Sequence, residues 1–177
     1  MKSKVIAISA ISAGLIAMIL SFGVYFQVAD ISAVILSSVV VLLPLYYKSY
    51  LGGFLSYLAG GLIAFLITGF NFLSIVFISY FIFFGLFPII KILLESKKLN
   101  KFLILAIGVI WCVLSCYAVY FYYTMVMCMP LDSLPEFIKN YVLLFIFLIG
   151  VVFFAVYDFF INVSRKLTEY YLRKILK

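Results

Sequence analysis

The chain contains no histidine, which removes histidine acid–base steps, histidine metal sites and serine–histidine triads. Charge is also scarce: 11% of the 177 residues are charged, with 13 basic and 6 acidic side chains. Three cysteines, Cys112, Cys116 and Cys128, lie in apolar sequence without a C-x-x-C pair. They read as small core residues, so neither a disulfide framework nor a zinc site is expected. Enzyme signatures are missing as well: there is no G-x-S-x-G, H-E-x-x-H, Walker A sequence or G-x-G-x-x-G. No enzyme, cofactor or metal is therefore expected. Any active transport would draw its energy from another chain or from an ion gradient.

What remains is apolar. The hydrophobic share is 68% and the mean hydropathy +1.34, against roughly 45–50% apolar and about 25% charged residues in a soluble domain. No water-soluble fold of this length hides that much apolar surface. A transmembrane helix needs about 20 mostly apolar residues, and six segments qualify: 5–26, 28–47, 51–70, 72–94, 102–128 and 141–162. Transmembrane strands would be half as long and alternate in polarity. The sequence thus predicts an all-α bundle of six transmembrane helices over 1–162. The first segment runs for 22 apolar residues with no A-x-A site after it, so it reads as a span and not as a cleaved signal.

Basic residues set the orientation. With six spans, both termini share one side, and twelve of the 13 lysines and arginines fall there. Lys139 alone falls opposite. Both termini are expected in the cytoplasm. The net charge of +7 is then topological, and no nucleic-acid partner is called for. The segment 163–177 reads as a basic amphipathic tail helix, because Val163, Leu167, Tyr171 and Ile175 recur every fourth residue between charged positions. It suits anchoring on anionic membrane lipid or docking of a cytoplasmic partner.

Small residues at four-residue spacing let helices approach closely in lipid. Helix three carries Gly52, Ser56, Gly60 and Ala64, with Gly53 and Gly61 beside them, and reads as internal packing. Helix one carries Ser9, Ala13, Ala17 and Ser21, with Ala10 and Gly14 on an adjacent stripe. One stripe can pack inward while the other meets a second protein.

A chain of about this length, with six helices, cytoplasmic ends and an Ala-x-x-x-Ala pair in helix one, resembles the substrate-binding S component of energy-coupling factor (ECF) transporters. The run from Asp30 to Leu36, followed by Pro44 and Gly52-Gly53, is similar to that family's passage from helix two into helix three. The resemblance implies a binding subunit for uptake of a small molecule, working with a transmembrane coupling subunit and cytoplasmic ATPases. It also implies that Ala13 and Ala17 contact the coupling subunit.

The polar residues offer a few candidates for chemistry. Asp158 is the acid deepest in a span, where a charge costs roughly 2.5–3.5 kcal/mol at mid-membrane. It lies towards the cytoplasmic end, within reach of an ion pair to Lys91 or Arg165, or serves as an ion-coupling carboxylate. Ser133 and Glu136 fit a capping box that would start a short outer helix. The outer half of helix five is aromatic, and Tyr117, Tyr120 and Thr124 share a helical face. Gln27, Asp30, Asn71, Asn140 and Tyr141 fall on the same membrane side. Tyr117, Tyr120, Thr124, Gln27, Asn71 and Asn140 form the expected substrate site, since small-molecule sites combine apolar and aromatic walls with a few convergent polar groups. Tyrosine faces suit a planar, vitamin-like metabolite. The alternative is a non-transport membrane protein acting in envelope assembly through helix–helix contacts.

The topology is directly testable. Reporters fused at both termini and within 95–101 should register as cytoplasmic, and one inserted within 132–139 as external. An external C-terminus would refute the six-span count.

Overall fold

The computed structural model describes residues 2–71, 74–126 and 136–175. Among them the regular structure is entirely helical. We number the helices α1 (Lys2–Tyr25), α2 (Asp30–Tyr46), α3 (Tyr50–Ile67), α4 (Ile75–Ser96), α5 (Lys101–Met125) and α6 (Glu136–Ile175). Five of them are long and apolar enough to cross a membrane, and α2 is a shorter apolar helix. The chain is an all-α, multi-pass membrane protein.

Helix boundaries follow local chemistry. Helix α3 stops at Ile67, short of the expected residue 70, because Gly69 takes the left-handed conformation (φ +72°). There Phe70 N–H donates to Phe65 O and Gly69 N–H to Leu66 O, a Schellman ending with its hydrophobic contact supplied by the Phe65 and Phe70 rings, 5.2 Å apart. The same paired bonds end α2 at Lys48 (φ +56°) and α4 at Lys98 (φ +57°). Ser74 caps the start of α4 by accepting from Val76 N–H, which moves that span to Ile75–Ser96. Helix α2 breaks at Val41, because Pro44 has no N–H for the Val40 carbonyl and its ring crowds that turn. Helix α6 runs unbroken past residue 162 to Ile175, with one kink at Tyr141 (φ −120°). The expected tail helix is therefore its continuation. Ser133 lies outside the described residues.

Helix α1 packs most extensively on α3 and next on α2, while α5 pairs with α6. The α1–α3 contact is backbone-close: a Cβ added at Gly60 would fall 2.6 Å from Ile16 Cγ2 and 3.0 Å from the Ala13 carbonyl. Glycine is required there. Two buried clusters form the core. One joins α1, α2, α3 and α4 around Ile16, Leu20, Val41 and Tyr80. The other joins α4, α5 and α6 around Phe83, Phe87, Phe154 and Tyr157. Helix α4 belongs to both.

In its middle, α4 widens into a π turn over Tyr80–Phe84, and Gly85 N–H reaches back five residues to Tyr80 O. That shift takes the usual donor away from the Phe81 carbonyl, and Tyr57 of α3 supplies its hydroxyl at 3.0 Å. Pro88 likewise has no N–H to offer the Phe84 carbonyl, and Tyr157 of α6 donates to it at 3.5 Å. Tyr80 returns a bond to Tyr57 O at 3.2 Å. Two tyrosines on opposite sides therefore complete the backbone of the central helix.

Tyr57→Phe should destabilise the bundle by about 1–3 kcal/mol, because it strands a buried carbonyl. Tyr25→Phe, which removes an exposed bond to Ile67 O, should cost clearly less. Unfolding of both variants in mixed detergent micelles measures the difference, and equal effects would refute the assignment.

Candidate functional site

An apolar cavity and an ion-pair cluster stand towards opposite ends of the bundle. The first is an apolar cavity of about 450 Å³ between α2, α4, α5 and α6. Phe83 and Phe84 of the π turn and Phe153 of α6 form its walls, and Cys112, Cys116 and Tyr120 line it from α5. Those three lie four residues apart, one helical turn each, which sets them on a single face. Asp30, at the first turn of α2, is the one charged residue among the described residues that line the cavity. Several other polar atoms there are already engaged. The Ser115 hydroxyl donates to Trp111 O at 2.8 Å, and the Cys112 thiol to Gly150 O at 3.8 Å.

The expected site residues are distributed unevenly around this cavity. Tyr120 lines it. Tyr117 instead ties α5 to α6, its hydroxyl donating to Leu143 O at 3.0 Å. The Thr124 hydroxyl turns back to Tyr120 O at 3.0 Å within its own helix. Asn71 and Asn140 are exposed and do not line the cavity, and the side chain of Gln27 lies outside the described residues. The polar set that does converge is Asp30, Ser79, Ser115, Cys112 and Cys116 with Tyr120. The sequence carried a signal for it in the four-residue spacing of Cys112, Cys116 and Tyr120.

Ala13 and Ala17 are 6% and 2% exposed. Both face inward, where small residues admit α3. The adjacent stripe of Ala10 and Gly14 is exposed, with nothing within 4 Å of a Cβ added at Gly14.

The second feature is an ion-pair cluster between α4 and α6. Lys91 Nζ lies 2.5 Å from Asp158 Oδ1 and 2.6 Å from Asn162 Oδ1. Asn162 Nδ2 donates to Asp158 Oδ2 at 3.0 Å. Lys91 is only 5% exposed. Of the two cations in reach of Asp158, Lys91 takes it, and Arg165 pairs with Glu95 and with Glu169. Each carboxylate oxygen of Asp158 thus has a partner, an arrangement that ties two helices together. Among the described residues no three His, Cys, Asp or Glu side chains gather to hold a metal.

Fold and cavity together define a multi-pass helical membrane protein with an apolar, carboxylate-bearing cavity. No family model, curated protein or solved structure matches the chain.

Removing one partner of a buried pair leaves an uncompensated charge. Lys91→Met should therefore destabilise the bundle by about 3–5 kcal/mol. Adding Asp158→Asn to that variant should restore most of the loss. Micelle unfolding of the single and double variants checks the coupling, and additive losses would refute it.

Proposed function

We propose that the chain is a membrane-embedded binding subunit for uptake of a small molecule. The observation that carries this reading is the cavity. At about 450 Å³ it falls within the roughly 300–1,000 Å³ of small-molecule sites, and such sites have mainly apolar walls with few polar groups. In this reading the protein is a six-span component of the cell membrane with both termini in the cytoplasm. Helix α2, Asp30–Tyr46, counts as the sixth span, at the short end of the range of about 17–25 residues. The cavity then opens on the outer side, away from the basic helix ends.

The sequence contains no ATP-binding motif, so uptake against a gradient would be driven by other chains. The resemblance to S components supplies their nature: a transmembrane coupling subunit and cytoplasmic ATPases. With Ala13 and Ala17 committed to α3, that subunit would meet α1 along Ala10 and Gly14. Small residues on an outward face give a partner helix the close approach that association in lipid needs. The chain itself carries out no chemistry in this reading. Lipid would contact the outward helix faces and the end of α6.

Affinity purification of the tagged chain in mild detergent, followed by mass spectrometry of retained proteins and metabolites, tests the proposal. Co-purified ATPase subunits and a bound planar metabolite are expected. Gly14→Leu should break the association while leaving the isolated chain folded. Tyr120→Ala should weaken binding of the retained metabolite by about 1–3 kcal/mol, the cost of losing a buried aromatic contact. Asn140→Ala should leave it unchanged, as Asn140 stands outside the cavity. Recovery of neither ATPase nor metabolite would sink the uptake reading.

A further inference from the structure

The charge of the cavity has a consequence for what fills it. Asp30 Oδ1 is buried and, among the described residues, has no hydrogen-bond partner. Among the described residues it belongs to the one charged side chain lining this mainly apolar space. Position at the first turn of α2 gives the carboxylate a favourable helix dipole, but a dipole supplies no donor to that oxygen. Among the described residues no lysine or arginine lines the cavity. Lys91, the buried cation among the described residues, is held by Asp158 and Asn162. The Ser115 and Cys112 donors are spent on backbone carbonyls. An ionised carboxylate oxygen left unpaired in apolar surroundings is costly, and a charge-assisted bond from a ligand nitrogen would offset that cost.

We infer that the cavity takes an organic cation: a protonated amine bound at Asp30, on an apolar, ring-containing body that reaches inward to Phe83 and Phe153. The inference rests on the cavity being the ligand site. Selectivity follows from the same geometry. A neutral molecule of equal shape fills the walls but leaves Oδ1 without a donor, and a carboxylate meets a like charge in a medium that screens it poorly. Tyr120, lining the same chamber, offers an aromatic face of the kind that attracts cations.

Three probes of one shape separate the charge from the cavity: naphthylmethylamine, methylnaphthalene and naphthylacetate. Each is titrated against the purified full chain in phosphatidylcholine nanodiscs, which carry no net charge. The amine should bind at least about 10-fold tighter than the neutral probe, and the acetate more weakly than either. Asp30→Asn should bring the amine down to the affinity of the neutral probe without changing the latter, and Asp30→Glu should keep the preference. Cys116→Trp, which fills the chamber, should abolish binding of all three. Equal affinities for amine and neutral probe, or an amine preference that survives Asp30→Asn, would overturn the cation assignment and leave the cavity standing. Binding that survives Cys116→Trp, or no binding of any probe by the folded chain, would overturn the cavity reading and this inference with it.

Discussion

A lipid interior offers no hydrogen bonds, so every backbone group buried in it must find a partner within the protein. Helix α4 meets this constraint in an unusual place. Its π turn over Tyr80–Phe84 and the proline that follows disturb the regular ladder at two carbonyls. Tyr57 and Tyr157 restore both bonds from opposite sides. The repair fixes geometry as well as energy, since each hydroxyl must arrive from a neighbouring helix at one depth and one rotation. Helices α3 and α6 are thereby registered against α4. The rest of the bundle is arranged around that registration.

The two core clusters follow from it. Phe83 stacks on Phe87 at 5.2 Å, and Phe87 meets Phe154 edge-on at 5.3 Å, so the half facing α5 and α6 is knitted by aromatic rings. The half facing α1 and α3 is drawn in by glycine and alanine. Large rings on one side and close backbones on the other leave α4 with unequal neighbours. The cavity lies on the aromatic side, beside the widened turn. Towards the other end, Lys91 and Asp158 join the same two helices through charge. Helices α4 and α6 are therefore held at two depths, by Tyr157 and by the ion pair, with the cavity beyond the tyrosine.

Much of this is legible in the sequence because lipid imposes a simple code. Long apolar runs separated by Lys48, Asn71 and the charged stretch 95–101 mark the helices, and five of them are long and apolar enough to span. Asp158 and Lys91 sit at matching depths on their helices, which is why an ion pair between them can be expected. The small-residue stripes are legible as close-approach surfaces, but a repeat of Ala13 and Ala17 does not say whether the approaching backbone belongs to the same chain. Only the glycines of α3 settle that. The cavity is the least legible part. Asn71 and Asn140 attract notice because they are polar, yet Asn71 lies in the link between α3 and α4, Asn140 near the start of α6, and both are exposed. Cys112 and Cys116 are core residues, as a thiol in apolar sequence suggests, and they also line the cavity. The π turn has no sequence signature beyond Pro88, so its tyrosine partners emerge only from the fold.

Two helix endings carry a tension of their own. Lys48 and Lys98 occupy left-handed positions where glycine would fit without the roughly 1–2 kcal/mol that a side chain costs there. In the proposed orientation both also belong to the basic set that holds these ends in the cytoplasm. Backbone comfort and insertion thus pull in opposite directions at the same two residues. A glycine at either would relax the folded protein while weakening the instruction read during its insertion, so the gain would be visible in the finished bundle and the loss only in how many chains arrive the right way round.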